Sequence, residues 1–84
     1  MGFLPTAKVT QQAIRAVAIT PSNSVDLTVS GAVVFIGVGG DVKVTTVSGD
    51  TAVFKNLASG SVLAVQVRRV WATGTTATDI IALY

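Results

Sequence analysis

Residues 41–56, "DVKVTTVSGDTAVFKN", carry the pattern that decides the fold. In their first half Val42 and Val44 alternate with polar neighbours, which is the period-two pattern of a half-buried strand. "SGD" (48–50) has the composition of a tight turn, and "TAVFKN" (51–56) returns as a second alternating segment. The stretch therefore predicts two antiparallel strands joined by a short turn.

The same cues extend over most of the chain. Short β-forming segments are separated by Gly-, Ser-, Asn- and Thr-rich turns, which is typical of a small antiparallel β-sandwich or barrel of about six strands. The segments are 13–20, 32–38, 41–47, 51–56, 61–73 and 79–84. We therefore predict an all-β fold.

The N-terminal segment differs from the rest. Residues 1–12 show no sustained period, and Phe3 and Leu4 precede Pro5. We expect an extended N-terminal arm over 1–12, with an apolar tip that docks on a neighbouring subunit or a larger shell. Residues 13–84 then form a single β-domain.

Two segments indicate how the sheet is covered. "AVVFIGV" (32–38) is apolar at almost every position, which predicts a strand covered on both faces. In 61–73 the apolar Val65 and Val67 alternate with polar or small neighbours. We expect Val44, Phe54, Val65 and Val67 to lie in the core.

"GVGGDVKVTT" (37–46) has roughly the composition of a phosphate-binding loop. Such a loop places its backbone N–H groups at the start of a helix. Here Gly40 is followed by β-formers, and Lys43 does not follow a glycine directly as a Walker lysine would. The stretch therefore predicts a hairpin whose glycines supply positive φ, and no nucleotide site.

Composition narrows the class further. Charged residues are 12% of the chain, against about 25% in a typical soluble domain. The chain has neither cysteine nor histidine, so neither disulfides nor ordinary zinc sites can reinforce its small core. We therefore expect it to bury part of its surface against other copies, a homotrimer first and a pentamer second.

Charge and hydropathy exclude two further classes of partner. The net charge is +2, and the six cations are scattered, whereas nucleic-acid-binding domains gather many cations on one face. No run approaches 18 apolar residues, and the N-terminus lacks the form of a secretory signal. We expect neither a nucleic-acid nor a membrane partner.

The chain lacks most of the side chains that enzymes commonly use in catalysis. The carboxylates are four aspartates, most of them beside turn residues where local hydrogen bonding favours Asp; they are Asp26, Asp41, Asp50 and Asp79. Without histidine, cysteine or glutamate, nucleophilic and metal catalysis have almost nothing to use. We expect no enzymatic activity and no cofactor.

"VRRVWATGTT" (67–76) contains an Arg–Trp pair. Adjacent arginines on a strand project to opposite faces, so Arg68 and Arg69 should not form one patch. Trp71 shares a face with Arg69. The pair is consistent with Arg69 covering Trp71 at a sheet end, with an anchor for a protein interface, or with stacking on a nucleic-acid base.

Three stretches carry a family resemblance: "AITPSNSVDL" (18–27), "GVGGDVKVTTVSGDTAVFKNL" (37–57) and "VQVRRVWATGTTATDIIALY" (65–84). They resemble small virion proteins of tailed bacteriophages and phage-like gene transfer agents, known as head-spike base, capsid cement or decoration proteins. The resemblance covers residues 18–84 and does not extend to 1–17. It implies a small β-domain that oligomerises on the outside of a viral head, without catalytic residues.

The resemblance also implies partners and a location. The partners are the major capsid protein, other copies of the chain, and a spike or fibre protein if the site is a vertex. A threefold position implies a trimer that reinforces the shell, and a vertex position implies a ring that carries a spike. The location is the capsid surface of a virion assembled in the bacterial cytoplasm, where the lack of cysteine is unremarkable.

We expect the contacts with partners to involve Phe3, Leu4, Arg68, Arg69, Trp71 and Tyr84. An alternative function is a tail or spike component that binds host-surface carbohydrate. Carbohydrate sites usually expose several aromatic side chains, and this chain has five aromatic residues in all, several of them needed for the core. A structural virion protein is therefore the favoured hypothesis.

Overall fold

The computed structural model describes residues 13–28 and 31–84. The predicted arm over 1–12, with Phe3 and Leu4, lies outside the described residues. Within these ranges the chain forms six antiparallel strands in one sheet and no helix, which confirms the all-β prediction. The strands are β1 (Ala16–Ala18), β2 (Ala32–Val38), β3 (Gly40–Thr46), β4 (Thr51–Leu57), β5 (Ser61–Val70) and β6 (Thr78–Leu83).

The order of strands across the sheet is β1-β6-β2-β5-β3-β4. β2 and β3 are separated along the chain by Gly39 alone, yet β5 lies between them and pairs with both. Ile36 pairs with Ser61, and Gly40 pairs with Leu57. From Ile36 to Gly40 the chain advances four residues, and from Ser61 to Leu57, their partners, it goes back four residues. The pairing register of β2 with β5 therefore continues into the pairing of β3 with β4.

Strands β2 to β5 are therefore one long hairpin bent across its middle. One arm is β2 followed by β3, the other is β4 followed by β5, and they are joined by the turn at 47–50. That turn is closed by Thr46 N–H donating to Asp50 C=O at 2.7 Å and by Gly49 N–H donating to Thr46 C=O at 2.9 Å. Bending brings the far edge of β5 onto β3, where Val44 pairs with Val70.

The prediction of a hairpin at "GVGGD" (37–41) is wrong, because the chain bends there and continues forward. A Cβ on Gly39 would collide with the carbonyl oxygen of Leu57 and lie 2.9 Å from Ser59 N. Gly40 has a φ of 155°, and a Cβ there would lie 2.7 Å from Thr76 Oγ1. The glycines let the two bent arms and the segment before β6 approach one another.

The core lies on the concave side of the bent sheet and is made mainly of valine and isoleucine. Its buried cluster consists of Val34, Ile36, Val42, Val44, Leu63, Val67, Val70, Ala77 and Ile80. Alternation accounts for the pattern, because the core-facing positions of β2, Ala32, Val34 and Ile36, are all fully buried.

Two of the four predicted core residues, Val44 and Val67, are fully buried. The prediction that Phe54 and Val65 are core residues is corrected, since both are only partly buried against the cluster. Phe54 lies on β4, an edge strand with a neighbour on one side only. Val65 lies beside the register shift between Ala32 and Val34, where no β2 residue is paired directly with it.

Candidate functional site

Trp71 follows the end of β5 and is fixed against β3. Its backbone N–H donates to the carbonyl of Lys43 at 2.8 Å, and its indole Nε1–H donates to Thr45 Oγ1 at 2.9 Å. Among the described residues, Thr45 is the one polar residue that is buried. Its hydroxyl also forms a hydrogen bond with the hydroxyl of Thr51, at 2.8 Å. The indole therefore covers a small polar network that joins β3, β4 and the end of β5.

Two cations lie over the Trp71 ring. Lys43 Nζ is 4.7 Å from the ring centroid, and Arg69 Cζ is 5.0 Å from it. Contacts of this kind are worth about 0.5–1 kcal/mol each at exposed sites. The contact of Arg69 with Trp71 was among the alternatives that the sequence offered and is present, whereas the contact of Lys43 with the same ring was not expected from the sequence. The place of Lys43 opposite Trp71 depends on the β3–β5 pairing, which local periodicity does not reveal.

Arg69 also holds the segment before β2 onto β5. Its Nε–H donates to Asp26 Oδ1 at 2.7 Å, and its two terminal nitrogens donate to the carbonyls of Asn23 at 3.2 Å and Ser24 at 3.3 Å. The Arg69 side chain is 22% exposed. Its planar group of donors is thus largely used within its own chain.

Asn23 completes this clamp from the opposite side. Its Oδ1 accepts from the backbone N–H groups of Ala72 at 3.1 Å and Thr73 at 2.9 Å, and its Nδ2 donates to Thr73 Oγ1 at 2.8 Å. The stretch "PSNS" (21–24) is therefore an attachment point that orients the segment carrying Trp71. Sequence reasoning missed this role because the partners are about 50 residues apart.

The other predicted contact residues are dispersed. Arg68 is exposed, and its carbonyl accepts from Leu27 N–H at 2.7 Å, so the two neighbouring arginines have different surroundings. Tyr84 is half-buried; its carbonyl accepts from Ile14 N–H and Arg15 N–H, and Arg15 Cζ lies 5.8 Å from its ring centroid.

The side of the sheet turned away from the core carries two apolar rows, which we call the outer face. Two polar side chains border the rows on the same side: Asp79 stands beside Gly37, and Gln66 stands beside Gly31. The register sets one row across β1, β6, β2 and β5, formed by Ala18, Ile81, Phe35 and Val62. A second row across β1, β6 and β2 is formed by Ala16, Leu83 and Val33. All seven side chains are uncharged, and Val62 is 53% exposed.

The backbone N–H groups of the glycine-rich stretch have partners of their own. The amides of Gly39, Asp41 and Lys43 donate to the hydroxyls of Ser59 (2.8 Å), Thr76 (2.9 Å) and Thr75 (3.0 Å). Donors engaged one by one by separate hydroxyls do not form the convergent set that cradles a phosphate.

The carboxylate of Asp41 is likewise used within the fold. Its Oδ1 accepts from Asn56 N–H at 3.0 Å, and its Oδ2 lies 3.9 Å from Lys55 Nζ. Asn56 has a φ of 61°, so this bond supports a left-handed residue at the end of β4. Asp41 therefore serves the bend between the two arms.

Among residues 13–28 and 31–84, no three or more metal-ligating side chains come together. In the same residues, no helix has the length and apolar character to cross a membrane. A groove of about 250 Å³ lies between β1 and residues 26–28, and its apolar lining includes Val17, Ile19, Leu27 and Ala82.

The bent six-stranded sheet, the two cations over the Trp71 ring and the apolar outer face are typical of a structural or interaction module. No protein-family model and no curated protein matches the chain. A solved structure does: a chain from the capsid of a native gene transfer agent (GTA) particle, computed with C5 symmetry, is 35% identical with a TM-score of 0.76. The match covers 86% of this chain and 83% of that one. The chain therefore belongs to the family of that capsid chain, a family of phage-like virion proteins.

Proposed function

We propose that this protein is a structural component on the outside of a phage-like head, where it cements the shell or seats a head spike. The proposal rests on the 35% sequence identity with a GTA capsid chain, in a match that covers 86% of this chain. Cement and decoration proteins act by binding between or upon shell subunits, which requires surfaces rather than a catalytic site.

The composition supports an assembly role of this kind. A small, sparsely charged chain without disulfides gains stability from contacts with partners. The proposed partners are the major capsid protein and other copies of this chain, with a trimer as the first expectation. A spike or fibre protein is a further partner if the protein occupies a vertex.

We propose two groups of contacts. Residues 1–12 form an arm that attaches through Phe3 and Leu4, while residues 13–84 form the β-domain. On the domain, Arg68 is exposed and Tyr84 is half-buried at the end of β6, so both are accessible to a partner. Arg69 and Trp71 act chiefly by fixing the surface around them, because their polar groups are already bonded within the chain.

The proposed location is the surface of the virion, with assembly in the cytoplasm of a bacterial host. Carbohydrate binding gains no support from Trp71. Its indole N–H already donates to Thr45. In addition, Lys43 and Arg69 lie over its ring. A sugar that stacked on a ring face already covered by a cation would have to displace that cation. The cement or spike-seating role is therefore the function that we propose.

The test uses heads assembled without this protein, to which purified protein is added. We expect saturable decoration of the outer surface, visible by electron microscopy as added density at a regular lattice position. Decorated heads should also resist heat better than bare heads. Protein that leaves heads undecorated at saturating concentration would contradict the proposal.

A deletion of residues 2–10 tests the arm separately. We expect the β-domain to keep its circular-dichroism spectrum and its melting behaviour, while its occupancy on heads falls. Burying Phe3 and Leu4 is worth roughly 1.5–3 kcal/mol each, and many copies on one shell multiply the effect. Undiminished occupancy of the truncated protein would show that the arm is passive.

A further inference from the structure

The outer face combines two features that conflict in an isolated domain. β2 is apolar on both sides: Val34 and Ile36 are fully buried in the core, while Val33 and Phe35 project from the other side of the strand. On an antiparallel sheet the second face is ordinarily polar where it meets water. Here the core cluster and the side chains packed against it do not include Val33, Phe35, Ile81 or Leu83.

The pairing register makes these side chains one continuous surface. Ala18, Ile81, Phe35 and Val62 stand side by side in one row, because each is the direct cross-strand partner of the next. From the spacing of strands and of alternate residues, the two rows cover on the order of 300 Å². Contiguous apolar patches of this size on small proteins commonly mark interaction sites.

We infer that the outer face is the self-association surface of this protein, covered in the assembled state by other copies of the same chain. The inference rests on the proposed function as an assembled virion protein and assigns the surface through which the copies meet. A single sheet must bury its apolar face against another layer. The described residues contain no helix, and their one sheet already uses its concave side for the core.

The chemistry of the face favours another copy over the rest of this chain. Its members are uncharged and its shape is set by rigid strands, so an identical sheet offers an equally apolar and equally rigid surface. Residues 1–12 have the sequence "MGFLPTAKVTQQ", in which four side chains are large and apolar. The proposed function places many copies side by side on one shell, which favours another copy as the occupant; deletion of residues 2–12, described below, tests whether the arm covers the face instead.

The size of the face indicates how the copies meet. About 300 Å² is well below the roughly 800 Å² that each partner buries in a standard two-body interface. A face that points toward a rotation axis meets two neighbours, and the flanking strands add contact area on both sides. This arrangement agrees with a closed ring such as the expected trimer or pentamer.

The first experiment measures mass in solution by multi-angle light scattering over a range of concentrations. We expect the full chain to form an oligomer, and Val62→Lys or Ala18→Lys to raise the concentration of half-dissociation about 30-fold or more. Both positions are exposed in the single chain, so the fold should tolerate lysine. Val53→Lys, at a 43% exposed valine on the opposite edge strand, should leave the mass unchanged.

The second experiment uses the absence of cysteine from the sequence. Val62→Cys and Val53→Cys each introduce a single thiol, and a short bismaleimide then links copies whose thiols lie close together. We expect covalent dimers from Val62→Cys and none above background from Val53→Cys. This assay does not depend on a destabilising charge.

Three outcomes would overturn the inference: a monomeric full chain at 100 μM (roughly the upper range of such assays), an oligomer that survives both lysine variants, or cross-linking at Val53→Cys alone. A full chain that is monomeric, together with a truncated chain lacking residues 2–12 that is oligomeric, would show that the arm covers the face instead. All these readings are made without capsids. They are therefore independent of the decoration assay that tests the proposed function.

Discussion

The indole N–H of Trp71 donates to the hydroxyl oxygen of Thr45, 2.9 Å away, and so ties the segment after β5 to the C-terminal end of β3. Thr45 is 6% exposed and shares its hydroxyl with Thr51. Trp71 thereby sits at the junction of three strands, with Lys43 and Arg69 over its ring.

Thr45→Val should destabilise the domain by about 1–3 kcal/mol. The change keeps the shape of the side chain but leaves the indole N–H and the Thr51 hydroxyl without this partner. Trp71 is the one tryptophan of the chain, so its emission during urea unfolding reports this site directly. Thr45→Ser keeps the hydroxyl and should stay within about 1 kcal/mol of the unmodified protein; equal losses in the two variants would contradict the role of the bond.

Arg69→Lys should loosen the clamp on residues 22–27 and cost about 1–2 kcal/mol, because an ammonium group cannot reproduce the three directed bonds of the guanidinium. Amide exchange of Leu27, whose N–H donates to the carbonyl of Arg68, should accelerate. Arg68→Lys, at the exposed neighbouring position, is the matched control and should have almost no effect on either measurement. A silent Arg69→Lys would show that Asn23 holds the loop alone.

Gly39→Ala should be among the most damaging single-methyl changes in the chain. The added Cβ collides with the Leu57 carbonyl and lies 2.9 Å from Ser59 N, both of them backbone atoms. We expect a loss of roughly 3 kcal/mol or more, at the upper end of overpacking costs. Gly49→Ala has open space around its Cβ and a φ of 98°, so it should cost only about 1 kcal/mol of backbone strain. Thermal unfolding of the two variants measures the difference.

Ile36→Ala should destabilise the isolated chain more than Phe54→Ala does. Ile36 is 0% exposed at the centre of the core, and such truncations cost about 2–5 kcal/mol. Phe54 is only partly buried on an edge strand, so we expect its loss to fall below the roughly 3–5 kcal/mol of a fully buried phenylalanine. Denaturant unfolding of both variants gives the order, and a larger loss for Phe54→Ala would mean that a partner covers β4 in solution.

ATP and GTP should not bind at residues 37–43. The amides of Gly39, Asp41 and Lys43 are each held by a different hydroxyl, and Lys43 is directed over Trp71. Titration calorimetry at low salt should show no saturable heat up to about 100 μM nucleotide, a threshold equivalent to roughly 5.5 kcal/mol. Binding that disappeared in Lys43→Ala would refute this interpretation of the glycines.

Residues 41–56 and the segments around them suffice to predict the strands. Alternation of Val42 and Val44 with polar neighbours, and the Ser48–Asp50 turn, depend on contacts between residues close in sequence. The Arg69–Trp71 contact was predictable for the same reason, since residues two apart on an extended chain share a face. These features are local, so the sequence by itself determined them.

The glycines at 39 and 40 mark the limit of that reasoning. A flexible pair between two β segments permits either a reversal or a forward bend, and the choice depends on whether β2 and β3 pair with each other or both pair with β5. Register over such distances is set by burying Val34, Ile36, Val44 and Val67 together, which is a cooperative property of the folded chain. Lys43 and Asn23 join the Trp71 region only through that arrangement, and the same pairing aligns Ala18, Ile81, Phe35 and Val62 in one row. The sequence alone determined which segments are strands, and tertiary structure decided their neighbours, because local backbone preference acts within a segment whereas apolar burial acts between segments.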